Sequence, residues 1–308
     1  MLNAVGREIP DYLLTDGRQV YQGKYKKDGE YVKKASPTTR RAEKPVESKL
    51  CETIREACEK CGAHDGMTFS FHTEFRDGDY VASMVCKVLV EEMGLKDLRV
   101  AATSLGSAQD VFADYMEQGI IKQVQTSGVR GRIGEVISAG KMTEPAIIRS
   151  HGGRPRAVEA GEVHIDIAFL ASASSDCCGN AKGQGGVNNC GSMGFAMHDA
   201  KYADHTVIIT DTLVPFPNVP SSISCIDVDA VCVVDAIGDP KKIATKEARM
   251  TQNPRELMMA KQVADVIAEV GQQHCLIVFY GNNIAKCVLH TFEQFEFQTI
   301  TDHLFARQ

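Results

Sequence analysis

A chain of 308 residues, 44% hydrophobic and 24% charged, has globular composition and enough length for one large domain or two ordinary ones. Its formal net charge of −6 argues against a dedicated nucleic-acid binder, and no apolar run approaches the roughly 20 residues that span a bilayer. The 11 cysteines, behind a Met1–Pro10 start that has no signal-peptide core, read as reduced thiols of a cytoplasmic protein, not as a disulfide framework.

Residues 1–45 read as an N-terminal arm, with basic runs at Lys24-Tyr25-Lys26-Lys27, Lys33-Lys34 and Arg40-Arg41 and little apolar periodicity. Such an arm either packs over the domain as solvated extended chain or docks on an acidic partner. From Val46 the pattern turns regular. Leu50, Ile54, Ala57 and Cys61 fall at helical spacing, stopped by Gly62, and Met67–Phe71 reads as a strand. Val81, Met84, Val85, Val88 and Leu89 mark a helix ended near Gly94. A strand at Leu98–Thr103, a helix through Val111–Met116 and a strand at Ile120–Gln125 follow. Residues 131–139 predict a short helix and Ala146–Arg149 a strand. Ile165–Leu170 and Thr206–Thr210 are nearly continuous apolar runs, as strands buried on both faces are. Ile226–Ile237 is a further strand region. Asn253-Pro254-Arg255-Glu256 reads as a helix start, with Asn at the N-cap, Pro in the first turn and Glu three residues on. Strands alternating with helices predict an α/β fold with a doubly wound, mostly parallel sheet. Ligands of such sheets bind at the carboxyl ends of the strands.

Four loops at those ends carry chemistry. The first places His72, Glu74 and Arg76 directly after a strand. Arg holds carboxylates bidentately, and His or Glu moves protons. The plainer reading is a polar turn with Asp79 capping the next helix. The second, Thr126-Ser127-Gly128-Val129-Arg130-Gly131-Arg132, opens a short helix where backbone N–H groups and two arginines attract anions. Glycine for packing alone is the other reading. No dinucleotide fingerprint or P-loop occurs. The third, Ser150-His151-Gly152-Gly153-Arg154, offers glycine amides to an oxyanion, or a structural loop histidine. In the fourth, Asp176 with Gly179-Asn180 suits an Asx-type turn. Cys177-Cys178 are poor zinc ligands as neighbours, and Cys58-x-x-Cys61 lacks a second pair, so no metal is expected.

Together these loops resemble the CoA-transferase superfamily, in the segment Arg130–Glu135 through Pro145-Ala146 and in Asp166–Leu170 followed by Asp176-Cys177-Cys178-Gly179-Asn180. Within it, six further stretches are similar to the citrate lyase alpha-subunit family. They are Glu8-Ile9-Pro10, Ser70-Phe71-His72, Phe75–Tyr80, Thr126-Ser127-Gly128, Ile148–Arg154, and Arg249-Met250-Thr251 with Asn253–Leu257. The resemblance implies a CoA-transferase-like fold and acyl exchange: acetyl-carrier plus citrate gives citryl-carrier plus acetate, through a mixed anhydride. It implies CoA, or a CoA-derived arm on an acyl carrier (gamma) subunit, as the carrier, a lyase (beta) subunit as partner, and a homo-oligomer. By the same resemblance Ser150, His151, Gly152 and Gly153 are the expected catalytic group. His72, Glu74, Arg76, Ser127, Gly128, Arg130, Gly131, Arg154 and Asn180 are the expected contacts to citrate or the carrier arm, with Arg132 beside them.

Two departures stand out. His72 is followed by Thr73 and Glu74 where the family tends to repeat histidine. After about Val270 the resemblance stops, so residues 46–270 are expected to be the first half of a longer transferase, and 271–308, with Phe292, Phe295 and Phe297, a divergent tail from a frameshift or premature end. Two other functions stay open: a non-catalytic fragment that binds the CoA-like arm, and a sugar-phosphate isomerase or binding domain of the same fold.

Overall fold

The computed structural model describes residues 1–3, 6–14, 20, 44–72, 74–243 and 253–270. The basic runs of the arm, the Arg249-Met250-Thr251 motif and the 271–308 segment lie outside them. The chain divides into two compact units, Met1–Pro37 and Thr38–Gln308. In the first, Leu2 and Glu8 form an antiparallel bridge closed by the Asn3 and Arg7 hydrogen bonds, followed by a 3-10 turn at Asp11–Leu13.

The second unit holds strand β1 (Leu50–Cys51), helix α1 (Ile54–Lys60), β2 (Thr68–Phe71), α2 (Val81–Lys87), β3 (Leu98–Ala102), α3 (Val111–Glu117), β4 (Ile121–Thr126) and α4 (Gly131–Ser138). It continues with β5 (Ile147–Ile148), α5 (Gly153–Glu159), β6 (Ile167–Ser172), β7 (Ser174–Ser175), β8 (Ala181–Lys182), α6 (Gly194–Tyr202), β9 (His205–Thr210), β10 (Ala230–Val233) and α7 (Pro254–Val270). Eight of these strands form one sheet in the order β1-β10-β9-β6-β2-β3-β4-β5, and every pairing is parallel. β7 and β8 make a separate antiparallel pair.

Local sequence accounts for most boundaries. Thr53 caps α1 by accepting the Glu56 amide at 3.0 Å, and Gly62, at φ 71°, ends that helix. α2 runs on into a π turn, Val88–Glu92, before Gly94 at φ 70°. Asn253 Oδ1 accepts the Arg255 amide at 3.0 Å, as its N-cap position predicts. The strand region expected over Ile226–Ile237 narrows to β10, because Cys225–Asp227 forms a 3-10 turn capped by Ser224.

Alternation along the central strands builds two cores. Phe69, Phe71, Phe169 and Ala171 face one side with Phe112, Val85 and Ile133 of α2 to α4. Ala168 and Leu170 face the other with Ala157, Val158, Ala196 and Ala200 of α5 and α6. From β2 the chain runs outward through β3, β4 and β5, then returns to β6 on the other side of β2. The order therefore reverses between β2 and β6, which opens a crevice at their carboxyl ends. No described helix is long and apolar enough to cross a membrane.

Candidate active site

A polar cleft of about 220 Å³ opens beside the carboxyl ends of β2, β3 and β4, lined by Arg76, Asp77, Ser104, Gly106, Gln109 and Arg130. Two expected contacts, Arg76 and Arg130, therefore meet although 54 positions separate them. Among the described residues from 44 to 243, six other arginines spend their guanidinium groups on partners. Arg76 and Arg130 alone have no side-chain hydrogen bond or ion pair there. An unpaired guanidinium is a ready fork for a carboxylate, and two in one cleft suit a ligand with several.

The backbone presents both. Arg76 has φ 51°, a left-handed conformation uncommon for a residue with a Cβ. Arg130 stands just before α4, and its amide donates to the Leu105 carbonyl at 3.0 Å. Gly131 follows at φ 61°, where any other residue would be strained. Ser127 does not line the cleft; its hydroxyl and amide both donate to the Thr103 carbonyl. Gly128 accepts the Leu105 amide at 2.9 Å. Arg132 points elsewhere, paired on the surface with Asp114 at 2.6 Å and Glu117 at 3.0 Å.

A second group of expected residues converges at the reversal of the sheet. His72 is buried at the end of β2 and hydrogen-bonds Glu74 through Nδ1. Burial pushes its pKa down to about 4; nearby Asp199 opposes this and Arg154 adds to it. The other ring nitrogen, Nε2, is buried with no well-formed hydrogen bond, and the Ala171 backbone beside it favours the protonated ring. Glu74 Oε1 lies against Gly194, the first residue of α6. The next residue, Phe195, packs edge-on against His151 with ring centroids 4.6 Å apart. The starts of α5 and α6 and the loop after β2 thus touch.

Three assignments change character. Arg154 is not open to a ligand: it is buried and forks onto Asp199 at 2.8 and 2.7 Å, then donates to the Ala101 and Ala102 carbonyls at 3.0 and 3.2 Å. Burial alone would raise the Asp199 carboxyl, but the Arg154 charge overcomes it and holds that carboxyl at about 2. Asn180 is likewise taken up by the fold, donating to Asp176 Oδ2 at 2.8 Å and accepting the Cys225 amide at 3.0 Å. Asp176 also accepts the amides of Cys178, Gly179, Asn180 and Asn218; these bonds outweigh its burial and lower its pKa. Of the two glycine amides proposed for an oxyanion, that of Gly153 already donates to Ser150 Oγ at 3.1 Å. The Gly152 amide has no acceptor among the described residues.

Sequence reasoning missed Ser104, Gly106, Gln109 and Phe195, which carry no local motif. All nine described cysteines are free. Burial raises Cys58 and Cys232 to about 12. One described trio has metal-ligand spacing: His164, Asp166 and Asp204, exposed or half-exposed at the amino ends of β6 and β9, opposite the loops. Its members have partners: His164 Nε2 is 2.8 Å from Asp204, and Asp166 accepts the Thr68 amide at 2.7 Å.

Comparison with known proteins gives a consistent result. A family model described as citrate lyase, alpha subunit, matches residues 47–277. Over 260 residues the chain is 41% identical to the citrate lyase alpha chain of Klebsiella pneumoniae, covering 84% of this chain and 49% of that protein. It is similar in structure to an alpha subunit of citrate lyase from Streptococcus mutans, solved in complex with citrate. That match has a TM-score of 0.78 and 41% identity and covers 96% of this chain and 58% of the other. Likeness to an acyl-CoA transferase from Escherichia coli O157:H7, at 15% identity and TM-score 0.51 over 74% of this chain and 56% of that one, concerns the fold alone. The chain spans about half the length of the curated relatives it matches.

Proposed function

The chain belongs to the citrate lyase alpha-subunit family, and on that footing we propose that it is the citrate-binding half of a citrate CoA-transferase. The reaction exchanges acetate for citrate on a thioester carrier. A citrate carboxylate oxygen attacks the acetyl carbonyl carbon, forms a C–O bond and expels the carrier thiolate. The thiolate then attacks the citryl carbonyl carbon of the mixed anhydride, forms a C–S bond and expels acetate. No net proton is taken up or released.

One observation carries this reading: the two guanidinium groups left unpaired by the fold, Arg76 and Arg130, line one small cleft at the carboxyl edge of a parallel sheet. Its 220 Å³ suits a compact polycarboxylate better than a CoA-sized ligand. The Glu74–His72 pair and the free Gly152 amide lie along the same edge, where the carrier thioester reacts in this proposal. CoA or a CoA-derived arm is the carrier, with gamma and beta subunits as partners.

Calorimetry with citrate on the purified chain tests the binding half. Loss of that binding in Arg76→Ala and Arg130→Ala, with the fold intact, is the expected result; unchanged binding in both removes the clamp. Incubation with acetyl-CoA and citrate tests the chemistry. Citryl-CoA formation establishes transfer by this chain alone. CoA-analogue binding without turnover assigns it a binding role that needs a second half.

A further inference from the structure

The turns that carry the unpaired arginines are tied to each other through buried side chains. The Asp79 amide donates to the Arg76 carbonyl at 3.3 Å, closing the Arg76 turn. Asp79 Oδ1 accepts the Val81 amide at 2.9 Å, and Oδ2 accepts Gln109 Nε2 at 2.9 Å. Gln109 Oε1 accepts the Gly106 amide at 3.0 Å. One residue back, the Leu105 carbonyl accepts the Arg130 amide at 3.0 Å. A continuous path therefore runs from the Arg76 turn to the Arg130 turn through Asp79, Gln109 and the backbone of residues 105 and 106.

Asp79 and Gln109 are 6% and 3% exposed, so water does not compete for these bonds. A second tie across the same walls, Ser107 Oγ to Asp77 Oδ1, is exposed and longer at 3.3 Å. The amide chemistry of Gln109 is specific to the task. It donates to one wall and accepts from the other at once, which a carboxylate cannot do.

We propose that Gln109, braced by Asp79, is a positioning residue that sets the spacing of Arg76 and Arg130 and thereby favours polycarboxylates over monocarboxylates. The inference rests on the reading of this cleft as the citrate site. A single carboxylate needs only one guanidinium. A second carboxylate gains its bond only when both forks are held to about 0.5 Å of the required geometry.

The test compares citrate binding by calorimetry with acetate binding by NMR line broadening. The proteins are the wild-type chain, Gln109→Leu, Asp79→Asn and Ser107→Ala. Gln109→Leu keeps the bulk and removes both bonds. Asp79→Asn keeps an N-cap oxygen for Val81 but turns a donor toward Gln109 Nε2. Both are expected to weaken citrate about tenfold and leave acetate within about twofold, whereas Ser107→Ala changes neither. Circular dichroism and thermal melting identify folded variants, and Asp79→Asn decides the matter if Gln109→Leu does not fold. Unchanged citrate affinity, or equal losses for citrate and acetate, overturns the positioning role. A wild-type chain that binds no citrate overturns the cleft reading itself, and the positioning role with it.

Discussion

Replacing Asp199 by Asn keeps the shape of a buried side chain while removing the charge that compensates Arg154. The guanidinium stays buried, still donating to the Ala101 and Ala102 carbonyls, with both of its short bonds to Asp199, at 2.8 and 2.7 Å, weakened or reversed. Leaving one member of such a pair unpaired costs about 3–5 kcal/mol. Proton linkage gives a second route to the size. The carboxyl is held at about 2 against an ordinary 3.8, and at about 1.4 kcal/mol per pKa unit this difference is worth about 2.5 kcal/mol. Because the folded value is depressed, that stability is fully present above about pH 4 and disappears as pH falls through 2. Urea unfolding of the wild type and Asp199→Asn, at neutral pH and at steps down to pH 2, reads both effects. The expected result is a midpoint loss equivalent to about 3 kcal/mol at neutral pH with an unchanged denaturant slope. The variant also lacks the wild-type decline attributable to this group below pH 4. A loss under about 1 kcal/mol, or an acid limb of the same size in both proteins, would refute the reasoning.

Four further outcomes are expected. Asp79 runs opposite to Asp199: burial pushes its carboxyl up to about 6, against hydrogen bonds from Gln109, Val81 and Ala82. It therefore favours the fold most while protonated, loses that contribution as pH rises from about 4 through 6, and Asp79→Asn should flatten this limb in the same urea series. Gly186→Ala would place a Cβ 1.8 Å from the Ala173 carbonyl oxygen, whereas Gly128→Ala meets nothing within 4 Å. Thermal melting should show the first losing more than about 3 kcal/mol and the second staying within about 0.5. In NMR, the His72 ring should titrate below an exposed histidine, since burial lowers its pKa. In alkylation followed by mass spectrometry at about pH 8, Cys58 and Cys232, raised to about 12, should react only after denaturation.

Much of the fold is legible where burial is apolar. β2, β3, β6 and β9 follow from apolar runs, and α2, α3 and α4 follow from Val, Phe and Ile recurring on one face. α5 and α6 escape the same reading because their buried faces hold Arg154, Asp199 and small alanines, so neither presents an apolar stripe. The site divides in a similar way. Arg76 and Arg130 stand out in polar loops and do line the cleft. Arg154 looks equally available in the sequence, yet its carboxylate partner lies 45 positions on, in a helix with no pattern to announce it. No local signal separates a spent guanidinium from a free one. Gln109 is hidden for the complementary reason: its value depends on facing Asp79, 30 positions earlier, across a packed turn.

The position of β1 bears on the order of assembly. Leu50 pairs with Val231 and Cys51 with Cys232, so the first described strand of the unit waits for the last described strand of the sheet. During synthesis almost the whole α/β unit must emerge from the ribosome before β1 can dock. Until then its neighbour α1 packs without a finished edge. Pairings this distant in sequence make folding slow and leave strand edges open meanwhile. A nascent chain halted before β10 should therefore be open to proteases at its beginning as well as at its unfinished end.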